Sequence, residues 1–199
     1  MLDVEDLSLI TPDRKVIIDR VNLHLEEGQI AVITGKSGAG KSLLLKSIAG
    51  KSYLPSGLKI SGKIKKNSFC GILFQNPDNQ ILGLNLADEL SVFMSRERAD
   101  YYANLFFSHL DTDIQTFRLS GGEKQALVLL TLLESHNKIL LLDEPLSQLD
   151  TRSRSFFSDI IDKIRKECVI IWVEHRPWLI DGNPVAYELD KGLKRIELS

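Results

Sequence analysis

The stretch "IAVITGKSGAGKSLLLKSIAG", Ile30 to Gly50, decides the fold. Its first part, "IAVIT", is a short β-rich apolar run that reads as a buried strand, and "KSLLLKSIAG" reads as a helix stopped by Gly50. Between them, "GKSGAGKS" at Gly35 to Ser42 fits G-x-x-x-x-G-K-[ST] in the strand-loop-helix setting that this pattern requires. Bare amides at a helix N-terminus cradle phosphates, Lys41 reaches the terminal phosphates, and the Ser42 hydroxyl can ligate magnesium. Gly35, Lys36, Ser37, Gly38, Ala39, Gly40, Lys41, Ser42 and Leu43 are therefore the candidate nucleotide-binding residues.

Working outward, two more apolar runs, "KILLLDEP" and "CVIIWVEH", flank the helix-like "DTRSRSFFSDIIDKIRKE". Continuous apolar runs alternating with helices predict a parallel sheet buried on both faces. Asp143 and Glu144 close the first run, at the sheet edge where open parallel sheets bind ligands. Two adjacent acids alone are most often a solvated turn. At that edge, however, Asp143 can hold magnesium and Glu144 can act as a general base on water. His175 ends the second run; a lone histidine there is more often inert, yet its place makes it a candidate contact to a γ-phosphate. Gln75 ends "GILFQ", and its amide can coordinate magnesium or hold water.

The first 30 residues alternate as antiparallel strands, with turns at "TPDRK" and "EEGQ". Short strands are expected around "LKISGKI" and "FCGILFQ", and a hairpin around Lys191 and Gly192. From Leu86 to Leu110, Leu86, Leu90, Phe93, Met94, Tyr101 and Leu105 recur at helical spacing and predict a helical segment. "LSGGEKQ", Leu119 to Gln125, has Ser120 and Glu123 at capping-box spacing before the apolar run "ALVLLTLL". The cap does not explain Gly121 and Gly122, each of which costs a helix about 1 kcal/mol relative to alanine. Two bare amides and a serine hydroxyl at a helix start suggest a second anion site.

With 25 Lys and Arg against 27 Asp and Glu, the net charge is −2, which gives no electrostatic basis for nucleic-acid binding. No apolar run approaches the roughly 20 residues that cross a bilayer, and the acidic "MLDVEDLSLI" is unlike a secretory signal, so an unexported soluble chain is expected. Cys70 and Cys168 sit in apolar runs and read as buried free thiols of a reducing compartment.

This ordered set resembles the ATP-binding cassette (ABC) ATPases over essentially the whole chain. "GKSGAGKS" is similar to Walker A, Gln75 to the Q-loop, "LSGGE" to the signature, "ILLLDE" to Walker B, "LSQLD" ending in Asp150 to the D-loop, and His175 to the switch histidine. The resemblance implies an α/β P-loop NTPase fold in a single domain over residues 1–199. Its parts are a mostly parallel core sheet, an antiparallel β-subdomain and a small helical subdomain at about 76–133. It implies ATP and Mg2+ as cofactors, with Ser42, Gln75 and Asp143 around the metal and Glu144, His175, Gln75 and Lys41 in catalysis. It also implies a second ABC ATPase domain, a copy or a paralogue, whose ATP is met in trans by Ser120, Gly121, Gly122 and Glu123. Transmembrane transporter subunits are the expected further partners, docking at Asn76 to Leu86, with no nucleic acid. The chain would then sit peripherally on the cytoplasmic face of the membrane.

"FQNPDNQILG" and "VEHRP" are similar to ATPases of energy-coupling-factor (ECF) importers of vitamins and transition metals. The alternatives are a soluble ABC ATPase of DNA repair, chromosome organisation or translation, and a regulatory subunit without turnover. The chain departs from the family at Thr11, where an adenine-stacking tyrosine is expected. The 45 residues from Gln75 to Ser120 leave little room for extra helices, and with seven residues after Gly192 an added C-terminal domain is not expected.

Overall fold

The computed structural model describes residues 1–135, 137–147, 149–174 and 184–197. In chain order the elements are β1 (Leu2–Ile10), β2 (Val16–Leu25), β3 (Ile30–Thr34), α1 (Lys41–Ala49), β4 (Lys59–Lys66), β5 (Phe69–Leu73), α2 (Leu86–Phe93), α3 (Arg96–Phe106), α4 (Gly121–Glu134), β6 (Asn137–Asp143), α5 (Thr151–Ile164), β7 (Val169–Val173), β8 (Val185–Asp190) and β9 (Gly192–Ile196). A central sheet runs β5-β6-β7-β3-β8-β9, and a second sheet runs β2-β1-β4. The central pairings are parallel as far as β8, and β9 closes it antiparallel after Lys191 turns the chain at φ 60°.

The uninterrupted apolar runs of β3, β6 and β7 follow from burial on two faces. Leu140, Leu142, Ile170 and Trp172 point into a core shared with α2, α3, α4 and α5. Their neighbours Ile139, Leu141, Val169 and Ile171 point the other way, into a core shared with α1, β1 and β2. Trp172 packs edge-on to Phe157 of α5, with ring centroids 5.8 Å apart. The antiparallel sheet alternates as expected, with slips: the β1–β2 register shifts between Val4 and Leu7, between Leu7 and Leu9, and between Leu9 and Ile10. Leu2 and Val4 are buried, as are Leu7 and Leu9, because a bulge around Asp6 (φ 49°) shifts the phase by one residue.

The segment from Leu86 to Leu110 is two helices rather than one. Ser95 ends the first register and caps the second, accepting a hydrogen bond from the Arg98 amide. The new register buries Ala99, Tyr102, Ala103 and Phe106, and leaves Tyr101 and Leu105 54% and 40% exposed. Tyr102 is fixed by Arg98 Nη2 at 2.8 Å and donates to Glu134 Oε1 at 2.6 Å, tying α3 to the end of α4. Cys168 is buried and its thiol is pushed up to about 12 by desolvation, whereas Cys70 is only half-buried. Among the described residues, no helix is long and apolar enough to cross a membrane.

Candidate functional site

The neighbour order of the central sheet places the C-terminal ends of β5, β6, β7 and β3 side by side. Gln75 follows β5, Asp143 ends β6 with Glu144 just after it, and the Gly35–Ser42 loop joins β3 to α1. His175, the residue expected on the β7 end, lies outside the described residues.

The loop enters α1 through Gly40, whose φ of 97° is left-handed and whose added Cβ would stand 2.8 Å from Ile17 Cγ2. A side chain there would be strained and would collide with β2. Lys41 is 6% exposed, and its ammonium donates to the carbonyls of Gly35 at 2.9 Å and Lys36 at 3.2 Å. The positive charge is thereby centred within the loop, where a terminal phosphate group would meet it. Ser37 and Gly38 are exposed, so the loop opens to solvent on its outer side. Leu43 is partly buried against the core on the α1 side.

Across the sheet edge, the Ser42 hydroxyl donates to Asp143 Oδ1 at 3.0 Å, joining residues far apart in sequence. Burial pushes the Asp143 carboxyl above its ordinary value and the neighbouring Glu144 adds to this, while Ser42, Lys46 and Lys41 oppose it. A half-buried carboxylate beside a hydroxyl is a donor pair suited to a hard cation, which takes oxygen ligands. No group of three or more His, Cys, Asp and Glu among the described residues could hold a metal ion by itself. A magnesium ion here would take its remaining oxygens from phosphates and water, as such ions usually do.

Glu144 has φ 50°, a conformation that non-glycine residues adopt at a cost of about 1–3 kcal/mol. Its amide is held by the Val173 carbonyl at 3.0 Å, so the strained turn is braced by β7. Gln75 Nε2 lies 3.4 Å from Glu144 Oε2 and 3.2 Å from Ser147 Oγ. The amide therefore bridges the end of β5 to the acidic turn.

Ser120 caps α4 in a reciprocal box with Glu123: the Ser120 amide donates at 2.7 Å and the Glu123 amide donates back to Ser120 Oγ at 3.3 Å. The two glycines differ in surroundings. Gly121 is exposed, and an added Cβ would meet Leu149 Cδ2 at 3.3 Å. Gly122 is buried, and its Cβ would stand 2.5 Å from Ser153 Cβ in α5. Close helix packing within the chain thus accounts for Gly122, and only Gly121 presents its backbone outward. Asp150 caps α5 by accepting from the Ser153 amide at 2.7 Å, so the same serine joins Asp150 to the start of α4.

Thr11 sits in the β1–β2 turn, where its hydroxyl bonds the Asp13 carboxylate and accepts from the Lys15 amide at 3.0 Å. Between this turn and the phosphate loop is an open cavity of about 330 Å3 lined by Thr11, Val16, Ala39, Leu43, Asp190 and Lys191, among others. None of its lining residues is aromatic.

Sequence reading missed Glu89, which is fully buried and accepts the amides of Leu82 at 2.7 Å and Gly83 at 2.5 Å. It also missed Phe117, exposed on the turn that bonds back to Leu84 through the Thr116 amide at 3.0 Å. The signal for Glu89 was its place on the inward side of α2 beside Leu86 and Leu90. Leu82, Leu84 and Phe117 are exposed, and the Thr116 amide bond to the Leu84 carbonyl brings the two segments together as a small apolar projection.

The chain is similar to a putative ABC transporter ATP-binding protein of Methanosarcina acetivorans, 32% identical over 204 residues that cover 88% of this chain and 31% of that protein. It is also similar to the energy-coupling factor transporter ATP-binding protein EcfA1 of Fusobacterium nucleatum, 34% identical over 75% of this chain and 63% of that protein. The chain spans 31 to 42% of the length of the first three curated relatives it matches. Among solved structures, cbiO1 from Clostridium perfringens, part of the ABC transporter complex cbiONQ, superposes with a TM-score of 0.77 at 24% identity, covering 97% of this chain and 86% of that one. A dimeric ATP-binding cassette bound to ADP and Pi superposes with a TM-score of 0.75 at 20% identity, covering 100% and 99%. Those two likenesses establish the fold, and with residues 18–147 matching the family described as ABC transporter, the chain belongs to the ABC transporter family.

Proposed function

We propose that the chain binds ATP with Mg2+ at Gly35–Leu43 and hydrolyses it between two cassettes, driving solute movement through transmembrane partners. The observation that carries this is the Ser42–Asp143 hydrogen bond of 3.0 Å, which joins the phosphate loop to the acidic strand end beside Gln75 and Glu144. Lys41 offsets phosphate charge, Ser42 and Asp143 hold the metal with Gln75 nearby, and Glu144 takes the proton of the attacking water. Magnesium supplies charge neutralisation at the phosphate oxygens when bound. His175 is assigned to the γ-phosphate. Ser120 and Gly121 close over ATP held by the other cassette, with Gly122 and Glu123 fixing their helix and Asp150 joining the same interface. Residues of about 76–133 form the helical subdomain in this reading.

The apolar projection of Leu82, Leu84 and Phe117 favours a membrane-subunit contact over a nucleic-acid one, since exposed apolar groups cluster there. The likeness to EcfA1, and the motifs "FQNPDNQILG" and "VEHRP", favour an ECF-type importer of a vitamin or metal ion. The chain then works peripherally on the cytoplasmic face of the membrane. The test has two arms. Purified chain should hydrolyse ATP in Mg2+ and lose the activity in EDTA, and it should co-purify from native membranes with an integral membrane subunit. Leu84→Asp should reduce that co-purification; retrieval with DNA or ribosomes instead would favour the soluble alternative.

Base recognition gives a second expectation. Aromatic stacking on a nucleobase is worth about 1–3 kcal/mol, and the cavity beside Thr11 has no ring to supply it. Thr11→Tyr should tighten ATP binding roughly tenfold, after the loss of the turn hydrogen bonds to Asp13 and Lys15 is deducted. Isothermal titration calorimetry reads this directly, and an unchanged affinity would mean that another group already holds the base.

A further inference from the structure

The loop that follows α3 carries His109, which no motif in the sequence singles out. Its Nε2 lies 2.8 Å from Glu123 Oε1, and its ring stands edge-on to Phe156 of α5, with centroids 6.2 Å apart. Phe107 meets the same Phe156 ring edge-on at 6.0 Å, so the loop is seated on α5 by two contacts. The other Glu123 oxygen accepts the Ser120 amide at 2.7 Å. One carboxylate therefore has a fixed donor on each oxygen.

We infer that His109 is a positioning residue for the signature half-site: by holding Glu123, it orients Ser120 and keeps the carboxylate out of the path of an incoming phosphate. The inference rests on the proposed role of Ser120 toward ATP of a second cassette. The reasoning is electrostatic and geometric. A free carboxylate three residues from Ser120 could rotate toward the surface where a polyanionic phosphate must arrive, and like charges there oppose binding. A carboxylate with both oxygens engaged cannot rotate without losing a charge-assisted hydrogen bond. Burial alone would raise the Glu123 carboxyl, yet the bonds from His109 and Ser120 outweigh it and hold the group below its ordinary value. The bond to His109 is thus one of those that keep Glu123 ionised and in place. His109 is 43% exposed at its side chain while Glu123 is 16% exposed, so replacing the histidine removes the tether without opening a core cavity.

The test compares His109→Ala with His109→Gln, whose amide can restore one N–H donor toward Glu123. Steady-state ATPase and ATP binding to the monomer are measured on the full chain. His109→Ala should lower kcat about tenfold, the scale of one lost charge-assisted hydrogen bond, with ATP binding to the monomer within twofold of wild type. His109→Gln should recover most of kcat. Wild-type kcat in His109→Ala, or equal impairment in both variants, would overturn the inference while leaving the ATPase assignment intact. A wild-type chain without Mg2+-dependent ATPase would overturn that assignment and the inference with it.

Discussion

Glu144→Gln should cut ATP turnover by about 10^2- to 10^4-fold, the usual worth of a positioned general base, while leaving ATP binding in place. The substitution is nearly isosteric and keeps the braced turn, because the Glu144 amide still bonds the Val173 carbonyl. What it removes is the group that accepts a proton. Gln75, 3.4 Å from the Glu144 carboxylate, is not a replacement, since an amide is not a base near neutral pH. The phosphate loop, Lys41 and the Ser42–Asp143 pair are untouched, so nucleotide affinity should hold or rise. Single-turnover hydrolysis by the purified chain reads the effect; turnover at the wild-type rate would move the base elsewhere on the sheet edge.

The second large effect separates the two signature glycines. Gly121→Leu should leave folding and monomer ATP binding close to wild type and abolish turnover, because at this exposed position Leu149 Cδ2, 3.3 Å from an added Cβ, has to give by only a few tenths of an ångström, and the side chain would then stand in the dimer interface. Its helix propensity even improves, by up to about 1 kcal/mol. Gly122→Ala should do the reverse in kind: a Cβ 2.5 Å from Ser153 Cβ overpacks the α4–α5 contact and should cost about 1–3 kcal/mol of stability. Thermal unfolding together with nucleotide titration distinguishes them. Loss of monomer ATP binding in Gly121→Leu would mean that the signature acts on its own phosphate loop.

The core sheet was legible because its strands are buried on both faces, and double-sided burial writes continuous apolar runs such as "ILLL" and "VIIWV". The phosphate loop was legible because its chemistry dictates both residue types and spacing. The helical region was legible only as helix. The large apolar residues at helical spacing include Tyr101 and Leu105, yet the break at Ser95 rotates the register, leaves both exposed and brings two alanines into the buried side. Small buried residues carry little hydrophobic signal, so a stripe drawn through bulky ones can miss the phase. The bulge at Asp6 hid in the same way, since a one-residue slip looks like imperfect alternation.

The contacts that position the site were less visible than the site. The place of Glu89 beside Leu86 and Leu90 marks it as inward-facing but not as the holder of the Leu82 and Gly83 amides, which depends on how the preceding loop folds back, and nothing local marks His109 as the partner of Glu123, which depends on how separate helices meet. Both glycines of the signature looked like one anion-binding feature, yet Gly122 answers to Ser153 across a helix contact. That division changes which of the two substitutions tests function and which tests packing.

The central claim is that one chain carries two half-sites that meet only across a dimer. The most direct measurement is the mass of the Glu144→Gln chain in solution by light scattering, without nucleotide and with saturating MgATP. The mass should double with MgATP and return to that of a single chain when Gly121→Leu is added to the same variant. A Glu144→Gln chain that binds ATP and stays at the mass of one chain would contradict the account.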